Sequence, residues 1–429
     1  MTEPLTQASL AKRYAAGERD FSGQSLAGLD LKRMDLTGVD LSGADLRGAT
    51  LFETRLDGAN LNDADLSGLY LEKTHLEGVS ARRTRFAGAK LGKQKLVGID
   101  ARKANFEGAN LSGASLVECE LRGAWFESTV LDGAHFLKCR MYGVQLRKTS
   151  MARVTLERCK LHNARFHEAL LDEARILQCT LDGADLQGAA LPRVDLAGAA
   201  LTSANLAGAE LAGAHLAGTD LSRADLTSAD LSEADLTGAR VRSATLARAT
   251  LRNAELAGAD FTGANLTAAD VSEARVDRET NFTNARTSGI DFGTNWPLRL
   301  RVVRCAHEET IRHFRRRHPF RALMWWALLG YGRHTWLPAL WTVVLILGFA
   351  GIMFSFPGEF AFDGHADPPQ GYLDYVAYSL GVFVSLDFVL DDAATPVGRV
   401  VLLAEMLTSY LMLGFLAGFF ARVFPEAPE

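Results

Sequence analysis

The chain has 429 residues, 48% of them hydrophobic, with 46 Lys and Arg against 51 Asp and Glu and a formal net charge of −5. That near balance excludes the strongly acidic surface of a nucleic-acid mimic, and the net figure hides a segregation of basic and acidic residues along the chain. There is no phosphate loop, no nucleophile elbow and no His-Glu-x-x-His helix, and His135, His162, His167 and His215 lack metal-ligand spacing. The composition and motifs therefore point away from an enzyme and imply no cofactor.

In chain order, residues 1–20 read as an N-terminal cap in which Leu10–Asp20 forms a short amphipathic helix. From Phe21 to Val276, every fifth residue is Leu, Phe, Ile, Met or Val, except Ala81 and Ala101: fifty-two sites in unbroken register. A period of five is neither helical nor strand-like, so it demands a repeat architecture. Two positions earlier the residue is small: fifteen of sixteen sites from Ala199 to Ala274 are Ala, and the other is Thr219.

The unit reads Gly-Ala-Asp-Leu-x, as in Gly43-Ala44-Asp45-Leu46-Arg47 and Gly258-Ala259-Asp260-Phe261-Thr262. It resembles the pentapeptide-repeat family. The resemblance implies an all-β, right-handed quadrilateral β-helix, a pentapeptide-repeat solenoid, over residues 21–295. Each pentapeptide makes one side of a square, with Leu or Phe and Ala pointing inward. Four units give a coil of 20 residues, so the repeat makes about 13 coils, which at roughly 4.8 Å each form a rod about 60 Å long. Open ends would expose sheet edges and core, which is the reason to expect a cap. At the far end the register shifts by one at Asn281-Phe282, continues to Phe292, and stops at Trp296-Pro297.

Cys119, Cys139, Cys159 and Cys179 recur every 20 residues in the small inward position and should form a column on one wall. We read them as apolar fillers of an Ala slot rather than as a redox or metal ladder. The basic run Arg82, Arg83, Arg85, Lys90, Lys93, Lys95 faces outward by register and reads as a solvated face.

Residues 296–335 are a basic linker and interfacial helix, with nine Arg against two Glu between Arg299 and Arg333. Arg315, Arg316 and Arg317 suit anionic lipid head groups, and Arg321, Trp325, Trp326 and Arg333 suit the headgroup boundary, where they would couple the rod to the membrane. Residues 336–356 form a charge-free apolar run long enough to span a bilayer, and residues 398–423 form a second span whose apolar run from Val400 is interrupted by Glu405 and Arg422. The loop 357–397 between them carries seven acids and no Lys or Arg, and 424–429 is a short tail. No signal peptide is visible, so the positive-inside rule places the β-helix and both termini in the cytoplasm of a bacterial cell, in a multi-pass inner-membrane protein.

Within the loop, Tyr372–Val384 is too short to span but fits a re-entrant helix, followed by an acidic turn and by Thr395-Pro396-Val397-Gly398-Arg399. This layout resembles the bacterial two-transmembrane pore-loop channels of the potassium-channel superfamily, and implies an α-helical membrane domain that conducts as a homotetramer. By that alignment the filter falls on Ser385, Leu386, Asp387, Phe388, Val389 and Leu390. Both filter glycines are replaced, and β-branched Val389 resists the required backbone, so a potassium filter is not expected. Ser385-Leu386-Asp387 looks more like the side-chain carboxylate filters of bacterial sodium and calcium channels. A monovalent or divalent cation would then meet a ring of Asp387, with Asp391 and Asp392 as an outer vestibule or a solvated turn. Glu405 would brace the pore loop, and Gly414 and Gly418 would serve helix packing or a gate.

The expected function is thus a cation channel with a cytoplasmic β-helix acting as scaffold or sensor, open to an unknown protein partner and without a nucleic-acid ligand. The alternative is a membrane-anchored pentapeptide-repeat scaffold that does not conduct.

Overall fold

A computed structural model describes residues 5–295, 298, 299, 302, 337–357, 360, 371–385 and 395–423. The chain divides into two compact units, Met1–Glu309 and Thr310–Glu429.

The first unit is a right-handed β-solenoid built from one turn repeated. In a typical side, the Ala44 N–H donates to the Leu41 carbonyl at 3.0 Å, and Gly43 between them has φ of +65°. That is a tight turn whose third residue must take a left-handed backbone, which explains the Gly of the repeat. The same conformation recurs at Arg33, Glu53 and Lys103, where a side chain costs about 1 kcal/mol that the coil ladder has to offset.

Each coil pairs in parallel with the next, residue i with i+20, as in Asp20 with Asp40 and Asp40 with Asn60. Backbone bonds run between coils: the Phe21 N–H donates to the Asp40 carbonyl at 2.8 Å, and the Asp40 N–H to the Arg19 carbonyl at 2.7 Å. The inward Leu, Phe and Ala side chains are buried along the rod in one continuous core.

On one wall the pairing widens into a five-stranded parallel sheet: β1 (Lys95–Val97), β2 (Ser115–Val117), β3 (His135–Leu137), β4 (Thr155–Glu157) and β5 (Arg175–Leu177). Its register stacks Lys95, Ser115, His135, Thr155 and Arg175 in one outward column and Val97, Val117, Leu137, Glu157 and Leu177 in another. The two exceptions to the Leu register are explained by packing. Ala81 and Ala101 are both buried, and Phe86, Phe106 and Phe126 stack beside them with ring centroids 4.8 and 4.6 Å apart. A small apolar void bordered by Ala101, Phe106, Leu76 and Leu96 remains beside the rings.

Both ends are closed. Helix α1 (Gln7–Ala15) begins three residues before the expected Leu10, because Thr6 and Ser9 form a capping box that fixes its start. Leu5 and Leu10 bury on the core at this end, and Leu298 and Val302 join the same core at the other. Near that end the pairing changes from i+20 to i+21, Asp260 meeting Asn281. Asp277 accommodates the extra residue: its Oδ1 accepts from the N–H of Gly258 at 2.8 Å, Thr280 at 2.9 Å and Glu279 at 3.0 Å. These bonds, that from Gly258 foremost, hold its carboxyl down at about 2. With its own core and closed ends, this unit meets the physical conditions for folding alone.

The second unit contains α2 (Leu337–Ser355), α3 (Tyr372–Ser385) and α4 (Pro396–Val423). Helix α4 starts with Pro at its first position, and the Thr395 hydroxyl accepts from the Gly398 N–H at 3.2 Å. Helix α3 starts where the Asp374 carboxylate accepts from the Gly371 N–H at 2.8 Å. Among the described residues, whose side chains cover 340–355 in α2 and 396–410 in α4, no helix is long and apolar enough to cross a membrane.

Candidate functional site

In the second unit, polar contacts tie α3 to both longer helices. The Ser379 hydroxyl donates to Glu405 Oε1 on α4, with Ser379 fully buried and Glu405 2% exposed. The Tyr372 hydroxyl donates to the Leu347 carbonyl on α2 at 2.9 Å. Phe354 meets the rings of Tyr372 and Tyr375 edge-on, with centroids 5.9 and 6.0 Å away. Ala350, Met353, Phe360, Tyr375 and Leu402 form the small core between them. Among the described residues, Glu405 Oε2 is buried without a hydrogen-bond partner, an arrangement that costs free energy unless a donor or proton is supplied.

Ser385 is the last residue of α3. Leu386, Asp387, Phe388, Val389, Asp391 and Asp392 lie outside the described residues, as do Arg315, Arg316, Arg317, Arg321, Trp325, Trp326 and Arg333. Gly414 and Gly418 fall within the backbone of α4.

On the rod, the four repeat cysteines are free thiols and buried. Each donates to the carbonyl of the inward residue 23 positions earlier: Cys119 to Leu96 and Cys139 to Leu116 at 3.3 Å, Cys159 to Phe136 and Cys179 to Leu156 at 3.4 Å. Thr54, Thr74, Thr84, Thr129 and Thr219 use the same acceptor position. The inward slot therefore admits any small side chain whose polar atom can reach that carbonyl, a rule that sequence reasoning missed although the shared spacing of Thr and Cys was visible. The sulfurs of Cys119 and Cys159, then burial, push the Cys139 thiol up, and Cys159 does the same to Cys179. Cys139 and Cys179, raised in this way, stay protonated and are poor nucleophiles. Among the described residues, no group of three or more His, Cys, Asp or Glu could hold a metal ion.

The basic run divides in two. Arg82 pairs with Asp100 at 2.7 Å, Arg83 with Asp63 at 2.6 Å and Arg85 with Asp65 at 3.6 Å. Asp100 also takes Arg102 at 2.7 Å, and these guanidiniums, Arg102 first, hold its carboxyl at about 2. Lys90, Lys93 and Lys95 are exposed and sit on the neighbouring walls outside this network.

The family model described as pentapeptide repeats matches this chain in overlapping stretches, 20–51, then 59–93 and onward to 244–278. Among solved structures, the chain is similar to HetL, a pentapeptide repeat protein involved in heterocyst differentiation regulation from the cyanobacterium Nostoc sp. strain PCC 7120. The identity is 29%, over 64% of this chain and 98% of that one, with a TM-score of 0.27. A pentapeptide repeat protein from the cyanobacterium Cyanothece 51142 is 30% identical over 27% of this chain and 88% of its own, with a TM-score of 0.23. Full-length QnrB1, a plasmid-mediated fluoroquinolone resistance protein, is 20% identical over 55% of this chain and 95% of its own, with a TM-score of 0.19. No curated protein matches the chain. The repeat register, the turn with its left-handed third residue, the i+20 pairing and the family match over most of residues 20–278 together place this chain in the pentapeptide-repeat family.

Proposed function

We propose that the chain is a membrane-held pentapeptide-repeat scaffold whose helices α2, α3 and α4 form, in four copies, a cation pore. The observation that carries this reading is the short helix α3 held between two longer ones, by Ser379–Glu405 on one side and Tyr372–Leu347 on the other. A buried carboxylate bonded to a short helix suits a brace behind a pore loop, with Asp387 next along the chain as the group that meets the ion. The rod would sit in the bacterial cytoplasm at the inner membrane, as scaffold or sensor, without catalytic chemistry. Arg315, Arg316 and Arg317 would hold anionic lipid heads.

A second reading, a scaffold of the same family that does not conduct, is favoured by the loss of both filter glycines. Among the described residues no helix is long and apolar enough to cross a membrane, which this reading fits at least as well as a pore does. Bilayer recording of the purified protein separates the two. The channel reading expects cation current whose selectivity changes in Asp387→Asn, and a mass in detergent four times that of the chain. A silent bilayer together with a monomeric or dimeric mass would leave the non-conducting scaffold.

A further inference from the structure

The five-stranded sheet is the part of the rod where the outward columns change character. The column Val97, Val117, Leu137, Glu157, Leu177 is apolar at four of its five places. The same column in other coils holds Thr37, Asp57, Glu77, Ala197 and Ala217. These side chains are half-buried on the surface of a parallel sheet, so they make a low apolar strip rather than a pocket.

The strip is bordered by cations that are not neutralised. Lys95 and Arg175 lie in the adjacent column of the same strands, and Lys93 and Arg153 lie two residues before their strands. All four are exposed, and among the described residues none takes part in an ion pair. The acids of this wall are already engaged: Glu157 with Arg158 at 3.8 Å, Glu118 with Lys138 at 3.0 Å, and Glu173 with Arg193 at 3.4 Å. The contrast with the Arg82–Arg83–Arg102 corner is direct, because there Asp63 and Asp100 satisfy every guanidinium. Nothing in the turn chemistry requires Lys or Arg at these places, since Gly113, Gly133 and Ser115 occupy equivalent ones.

We propose that this face, from Lys93 to Leu177, rests against an anionic phospholipid surface, with Lys93, Lys95, Arg153 and Arg175 on the head-group phosphates and the Val–Leu strip at the boundary. Unneutralised charge spread along the rod carries the choice. A bilayer presents many phosphates at once to cations spread over four coil spacings, about 19 Å. The inference deepens the reading of the chain as a membrane-held scaffold, and it is separable from conduction because the rod unit can be tested by itself.

The test is co-sedimentation of residues 1–309 with vesicles of phosphatidylcholine alone or with 30% phosphatidylglycerol, in low and high salt. Each basic residue near such a surface contributes about 1 kcal/mol, or roughly fivefold in partitioning. The triple variant K93Q/K95Q/R175Q should therefore lower binding to the anionic vesicles about 100-fold, and high salt should do the same to the wild type. R82Q/R83Q/R102Q makes the same change in net charge on the neutralised corner and should leave binding within a few-fold. Equal binding to both vesicle types, or an equal loss in the two triple variants, overturns the proposal. Binding to polyglutamate but not to anionic vesicles would assign the face to an acidic protein and also overturn it. Circular dichroism at the β-solenoid band guards against misfolding, since all six residues are on the surface.

Discussion

The coils around residues 80–180 and those from 181 to 275 share one register but solve its packing differently. In the later coils the inward slot is almost always Ala and the turn closes with a backbone bond, as from the Ala199 N–H to the Leu196 carbonyl at 2.9 Å and from Ala239 to Leu236 at 2.9 Å. In the middle coils, on the same wall, Ile99 and then Cys119, Cys139, Cys159 and Cys179 fill the slot, and the chain stays extended through β1–β5. There the Cys159 N–H donates to the sulfur of Cys179 in the next coil, at 3.3 Å. Slot size alone does not open the turn, because Val39 and Thr219 keep the closing bond, to Leu36 and Leu216 at 3.1 Å. The outward Val and Leu of the middle coils are the second ingredient, since such side chains favour the pleated conformation. A strict repeat thus fixes coil length while leaving the choice between turn and strand to two positions per unit.

The largest test of this contrast is Phe106→Ala. It removes the centre of the three-ring stack beside Ala81 and Ala101, next to an existing void, and should cost about 4 kcal/mol in urea unfolding of the rod unit. A cost near 1 kcal/mol would mean that the middle coils collapse around the gap and are not packed by the rings. Next comes Gly208→Val in the later coils, at a φ of +65° with nothing within 4 Å of the added Cβ. Backbone strain alone should then appear, about 1–2 kcal/mol. Cys139→Ala turns a middle slot into a late one. The lost sulfur should cost about 1 kcal/mol, and a gain instead would mean that the slot is packed too tightly around the thiol.

The smallest effect is expected for Asp100→Asn. The Asp100 carboxyl titrates at about 2 in the folded rod, below its unfolded value of about 3.9. Its contribution is therefore complete above pH ~4 and is lost as pH falls through ~2. The Asn variant should be flatter across that window. The difference should stay below about 1 kcal/mol and shrink in salt, because its partners Arg82 and Arg102 are exposed at the surface.

Much of the rod was legible in the sequence because its defining contacts repeat at one spacing. The register, the 20-residue coil, the inward cysteine column and the shift at Asn281 all follow from position modulo five. The Phe86–Phe106–Phe126 stack and the five-stranded sheet were not read from the register, although their members recur one coil apart, because both depend on which side chains fill neighbouring positions and not on position modulo five alone. The start of α1 was misplaced because Thr6 and Ser9 lie outside the apolar pattern and act through a cap. In the second unit, apolar runs indicated the helical segments. That Ser379 is the residue meeting Glu405 could not be read, since the two are 26 positions apart and on different helices. Of the expected filter segment, Ser385 ends α3, and residues 386–390 lie outside the described residues.

One consequence of the four-sided coil concerns how such a rod can change. Gaining or losing 20 residues alters its length by one coil spacing and leaves the exit direction as it was. Gaining or losing five keeps every inward residue inward but turns the exit by a quarter revolution. The single extra residue before Asn281, absorbed by Asp277 without loss of pairing, adds a third and finer setting. The rod behaves like an indexed shaft, on which length and heading can be reset in separate discrete steps while the core stays the same.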